Sequence, residues 1–165
     1  MKFSEYPYTR PDMNKLEQTI NELVETFTKA DSFEEQDQAL KEITDVRNHF
    51  ETMREIAQVR YTLDTTNEAY QAEQDFCDEV QPIYQKLVTS LYKPLIQSPF
   101  RTQLEAKWGK QLFTIAELTI KTFSEEVLED LQKENKLSSE YTKLMASAKI
   151  MFEGEERNLP QLYPF

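Results

Sequence analysis

Residues 32–63 read SFEEQDQALKEITDVRNHFETMREIAQVRYTL. Within them Leu40, Ile43, Val46, Phe50, Met53, Ile56, Val59 and Leu63 recur at intervals of three and four with no Gly or Pro between them, the spacing that lines one face of an α-helix. Ser32 followed by Glu35 has the capping-box spacing, in which each side chain reaches a free amide at the helix start. A helix over Phe33 to Leu63 is about 45 Å long at the usual rise per residue. That is too long for a simple compact bundle, so the stretch calls for long neighbours.

The flanking sequence supplies them. On the N-terminal side, after an irregular aromatic arm from Phe3 to Tyr8, the segment Pro11 to Ala30 carries Met13, Leu16, Ile20, Leu23, Val24 and Phe27 on one helical stripe. Pro11 or Asp12 suits its entry. On the C-terminal side the turn Asp64-Thr65-Thr66 precedes a third helix, for which Thr65 and Glu68 repeat the capping-box spacing. Its apolar positions are Tyr70, Phe76, Val80, Ile83, Tyr84, Leu87, Val88 and Leu91, and Pro82 inside it predicts a kink. These long helices should pack antiparallel.

Beyond them the elements shorten. Ser98-Pro99 opens a short helix with Phe100 and Leu104 facing inward and Gly109 at its stop. Lys110 to Thr122 is dense in apolar residues and is expected to be buried on more than one side. Two further helices are expected, from about Ser124 to Lys133 and from Ser138 or Ser139 to about Ala148, with Asn135 between them. Lys149 to Leu159 alternates apolar and polar residues around Gly154, which suits a β-hairpin that must lean on other structure. The ending Leu159 to Phe165 is apolar and irregular and reads as an interrupted sequence. The expected fold is all-α, a single helical lobe over 1–165 with long antiparallel helices, shorter C-terminal helices and one small β-hairpin near residues 149–159. No tandem repeat, low-complexity tract or linker marks an internal boundary.

Composition narrows the chemistry. A chain of 165 residues can bury a core without disulfides, and it has one cysteine, Cys77. Two glycines against seven prolines exclude glycine-built phosphate cradles. A net charge of −11 repels phosphate backbones and anionic lipid surfaces, so neither nucleic acid nor membrane is an expected partner. Met1 to Pro7 lacks a signal-peptide core and no later run could span a bilayer, which points to a cytoplasmic protein.

His49 is the only histidine. A zinc hydrolase of the H-E-x-x-H class needs two imidazoles one helical turn apart, and only His49-Phe50-Glu51 is present. A di-iron carboxylate bundle needs two copies of Glu-x-x-His, and three residues before His49 stands Val46. Asp45 could orient His49 as a base for a nucleophile, but carboxylates fall at that helical spacing so often that an i,i+4 pair on a solvated face is the plainer reading. Acidic neighbours Asp75, Asp78 and Glu79 oppose thiolate formation at Cys77, which reads as an inert thiol beside the core. Glu34-Glu35, Glu125-Glu126 and Glu155-Glu156 lack an Asp-x-Asp-x-Asp-Gly loop and read as solvated helix faces and first turns. Tyr70, Tyr84, Tyr92 and Trp108 read as core and groove aromatics because the surrounding field is negative. No catalytic, cofactor-binding or metal residue is assigned.

Four stretches together resemble the amino-terminal part of oligoendopeptidase F, in the superfamily of thimet oligopeptidase-like zinc metallopeptidases. They are Tyr8-Thr9-Arg10-Pro11; Arg60-Tyr61-Thr62-Leu63-Asp64-Thr65-Thr66; Lys107-Trp108-Gly109-Lys110-Gln111-Leu112-Phe113; and the run from Leu137 to Lys143-Leu144, continuing through Ala146 to Ile150 and on to Phe152-Glu153-Gly154-Glu155-Glu156-Arg157-Asn158-Leu159. The resemblance spans the chain and rests on scaffold signatures. It implies a first helical lobe forming part of the wall of a deep channel, in a longer enzyme that hydrolyses oligopeptides with H-E-x-x-H and a downstream glutamate on zinc. The zinc-bearing half has no counterpart here, so this chain is expected to be inactive and without a cofactor of its own, meeting oligopeptides through the missing half. A large apolar patch around Phe152 to Phe165, and on the faces that meet that half, should then be exposed and able to self-associate. The alternative is a free-standing helical protein- or peptide-interaction module docking through Ile115 to Ile120 or the hairpin. An enzyme complete in 165 residues is the weakest reading.

Overall fold

The computed structural model describes residues 5–122 and 124–164, the side chains of Glu125 and Pro160 excepted. The readings that touch Met1 to Ser4, Phe123 and Phe165 lie outside the described residues.

Helix α1 (Met13–Lys29) starts at Asp12, whose Oδ1 accepts from the Lys15 amide at 3.1 Å. Helix α2 (Phe33–Leu63) starts at Ser32, whose Oγ accepts from the Glu35 amide at 3.3 Å. The Glu35 carboxylate returns to the Asp31 amide, one residue before the cap. Helix α3 (Glu68–Ile96) corrects the expected cap. Asn67, not Thr65, holds it, its Oδ1 accepting from the Ala69 and Tyr70 amides at 3.0 and 3.2 Å. The Asp64 carboxylate already folds onto the amide and hydroxyl of Thr66, which closes the turn there and moves the helix start downstream.

Residues 64–67 leave only a tight turn between α2 and α3, which pack on one another as an antiparallel pair. Phe50 and Tyr84 stack across them with ring centroids 4.0 Å apart. Helix α1 covers both, burying Ile20 and Phe27 against Leu40, Ile43, Leu91 and Leu95. Helix α4 (Arg101–Trp108) ends at Gly109, where φ is +87° and ψ 146°, and α5 (Lys110–Thr122) folds back to seat Phe113 and Ala116 on α3. Contrary to expectation, α5 is buried on one side only: Ile115 and Leu118 remain 44% and 56% exposed.

After a 3₁₀ turn at Glu125–Val127 comes α6 (Leu128–Ser147), one continuous helix where two had been expected. Asn135, read as a break, lies inside it for a reason found on α3. Pro82 has no amide and so leaves the Asp78 carbonyl, four residues earlier, without its helical donor. Asn135 Nδ2 donates to that carbonyl at 3.2 Å, and Gln132 Nε2 donates to the neighbouring Glu79 carbonyl at 2.8 Å. Strands β1 (Ile150–Phe152) and β2 (Glu155–Arg157) form the expected hairpin, pairing Ile150 with Arg157 and Phe152 with Glu155. Glu153 and Gly154 both have positive φ, 51° and 85°, as a two-residue primed turn requires. Leu159–Leu162, expected to be irregular, is a single helical turn, α7.

Candidate functional site

The chain's nucleophile and base candidates stand apart. His49 and Asp45 are both exposed on α2, beside the groove that Thr9 to Asp12 make with α1. Cys77 is buried on α3 and its thiol is pushed up to about 11 by burial, with Asp78 and Glu73 adding to the rise, so it stays protonated at neutral pH. Tyr84 and Tyr92 are core residues, and Trp108 packs against the core edge. One exposed imidazole and one buried, protonated thiol do not make a zinc ligand set. Among the described residues no group of three or more His, Cys, Asp or Glu could hold a metal ion. The described residues therefore do not fit zinc.

The four stretches that carry the family resemblance act as tethers. Arg10 forks onto Glu73 of α3 with two 2.9 Å bonds and lies 4.7 Å over the Phe76 ring, while the Tyr8 hydroxyl donates to the same carboxylate. Arg10, and after it Tyr8, hold the Glu73 carboxyl below its usual range against the pull of burial. Arg60 of α2 grips the arm from the other side, donating to the Tyr6 carbonyl at 2.7 Å. Tyr61 donates to the Ser139 carbonyl of α6 at 2.8 Å. Trp108 Nε1 donates to Asp37 at 2.9 Å, with Lys107 on the other oxygen.

Where α2, α3 and α6 meet there is a polar cavity of about 180 Å³. Asp78 points into it and is 7% exposed. Burial raises its carboxyl above the ordinary range, and Ser139 and Gln74 pull it back only part of the way. Sequence reasoning missed this cavity, because its walls come from residues up to tens of positions apart and match no motif.

The outer face of α6 is the other notable surface. Its inner side is polar over the middle of the helix, where Gln132, Asn135 and Ser139 bond to α3 and Lys143 reaches Gln71 Oε1 at 3.1 Å, with Leu128, Leu131, Met145 and Ala146 half-buried towards its ends. Its outer side carries Leu137, Tyr141 and Leu144, which are 64%, 62% and 67% exposed, and no residue of the helix is buried. Over its middle this inverts the usual arrangement, in which the apolar stripe of a surface helix faces the core. Met151 and Tyr163, further along, are also exposed. Among the described residues no helix is long and apolar enough to cross a membrane.

Residues 3–123 match the family model described as Peptidase M3 N-terminal domain. A PZ peptidase A solved with an inhibitor is 57% identical to the chain with a TM-score of 0.94; the match covers 99% of this chain and 29% of that one. A crystal structure described as an oligoendopeptidase F is 52% identical, with TM-score 0.95, covering all of this chain and 29% of that one. Another so described, from Bacillus anthracis str. Ames, is 50% identical with TM-score 0.94, covering all of this chain and 30% of that one. The chain thus spans under a third of the length of these solved proteins. No curated protein matches it.

Proposed function

The chain belongs to the Peptidase M3 N-terminal domain family, and on that premise we propose that it is the non-catalytic N-terminal part of an oligoendopeptidase F-type zinc metalloendopeptidase that hydrolyses oligopeptides. It forms part of the wall of the substrate channel, inside a cytoplasmic enzyme. The observation that carries this reading is the inverted amphipathicity of α6. A helix that spends much of its polar face on its neighbour and leaves Leu137, Tyr141 and Leu144 outward gains nothing from water on that side, and burying what remains exposed of those three side chains is worth about 1–2 kcal/mol each. The catalytic remainder of the enzyme is the polypeptide that covers them. The chain supplies shape to the channel and supplies neither zinc ligands nor the general base. Left alone, it self-associates through the same stripe.

Charge substitutions on the stripe test this in the longer enzyme. Leu137→Glu with Leu144→Glu should lower both thermal stability and kcat/KM for an oligopeptide there, while the isolated 165-residue chain keeps its helical circular dichroism and loses its tendency to associate. An unchanged enzyme with both substitutions in place would show that the stripe meets no catalytic half and would favour a free-standing module.

A further inference from the structure

The hairpin has two edges of opposite character. With its turn at Glu153 and Gly154, the pairs Phe152 with Glu155 and Ile150 with Arg157 exchange the backbone hydrogen bonds. The middle pair, Met151 and Glu156, turns its N–H and C=O groups outward, one set to each edge. On the β2 edge the strand is Glu155-Glu156-Arg157, three charged residues, and the chain closes on itself directly beyond it. There the Asn158 amide donates to Gln161 Oε1 at 2.9 Å and the Gln161 amide to Asn158 Oδ1 at 3.1 Å. Charged side chains and a covering turn are what keep a sheet edge from pairing. The β1 edge has neither. Its strand is Ile150-Met151-Phe152, without charge or proline, and among the described residues no third strand pairs with it.

Two strands of three residues are marginal without a third strand or a helix behind them. Here neither strand has a fully buried residue, and the Met151 side chain is 70% exposed. We propose that the β1 edge is a docking site for a third strand, an extended segment of the polypeptide that makes up the rest of the longer enzyme. It pairs with the N–H and C=O of Met151 and lays apolar side chains beside Ile150, Met151 and Phe152. This rests on the reading of the chain as part of a longer peptidase; the match covers 29–30% of the solved relatives, so more than two thirds of each lies outside it. The shortness of the edge selects this occupant. One outward-facing residue offers too few backbone hydrogen bonds to hold a free peptide or a second copy against the cost of association. They suffice for a strand already held nearby in the same polypeptide, where the effective concentration is high.

Met151→Pro and Glu156→Pro, each made in the 165-residue chain and in the longer enzyme, test the edge. Both positions lie in the pair that exchanges no hydrogen bonds, so either proline removes an outward N–H and leaves the hairpin's own ladder whole. Met151→Pro should lower the Tm of the longer enzyme by about 2–4 °C and leave the isolated chain within about 1 °C of its parent. Glu156→Pro, on the charged edge, should leave both unchanged. In the unsubstituted proteins, hydrogen exchange at the Met151 amide should be at least about tenfold slower in the longer enzyme than in the isolated chain. Equal exchange in the two overturns the proposal, as does a Met151→Pro loss of the same size in both or a Glu156→Pro loss that matches it in the longer enzyme. Protection of that amide in the isolated chain that grows with protein concentration makes the occupant a second copy and overturns it too. If the Leu137→Glu and Leu144→Glu effects on the longer enzyme hold while Met151→Pro is silent, the third strand is wrong and the reading of the lobe stands.

Discussion

Gln36 is almost wholly buried at the start of α2, where it joins three segments: its Nε2 donates to the Phe27 carbonyl at 3.1 Å and its Oε1 accepts from the Ser98 hydroxyl. Gln36→Ala leaves both partners buried and unsatisfied and should cost about 1–3 kcal/mol in urea unfolding. Next to it, the Lys107 ammonium and then the Trp108 indole hold the Asp37 carboxyl below its usual range. A depressed carboxyl stabilises the fold above its ordinary value near 3.8, and that contribution fades as the pH falls through the lowered one. Lys107 is 55% exposed, so solvent screening limits the effect to about 1 kcal/mol. Asp37→Asn should therefore lower the Tm at pH 7, and its difference from the parent should fade as the pH falls through the lowered value. Neither role was legible in the sequence. A buried glutamine looks like any surface glutamine until its neighbours are placed, and the raised Cys77 thiol was legible only in part, since burial is its larger cause and only the contribution of Asp78 is adjacent in the chain.

At the scale of elements, α2 was readable from end to end because its stripe is unbroken and its cap is local. The boundary of α3 and the continuity of α6 were not, since both depend on competition between groups. Asp64 takes the turn that Thr65 would have capped, and Asn135 is kept helical by a carbonyl that Pro82 frees on another helix. The Pro82–Asn135 relation makes a double-mutant prediction. Asn135→Leu alone should destabilise by about 1–2 kcal/mol, and Pro82→Ala, which restores a donor to the Asp78 carbonyl, should recover part of that loss, with a coupling of at least about 0.5 kcal/mol. Strict additivity would refute it. Gly109 makes a simpler one. A Cβ there would meet nothing within 4 Å, yet φ of +87° with ψ of 146° is a glycine region, so Gly109→Ala should cost about 1–3 kcal/mol from backbone strain alone. Urea unfolding of that variant checks it.

For the whole molecule, the lobe architecture was expected from periodicity and the lineage from four short stretches, which the structure reveals as tethers among the arm, α2, α3 and α6 and between α2 and α4. The exposed faces were only half readable. A patch was expected around Phe152 to Phe165, where Tyr163 is exposed, with Met151 exposed just before it, but the stronger feature is the outward stripe of α6, hidden while that helix was read as two. On the proposed function, such a lobe contributes architecture to proteolysis and leaves the chemistry to the rest of the enzyme. Zinc titration of the purified chain, followed in the same sample by cleavage of a fluorogenic oligopeptide, tests that division directly. The account predicts no stoichiometric zinc uptake and no turnover; one tightly bound zinc per chain with measurable cleavage would contradict it.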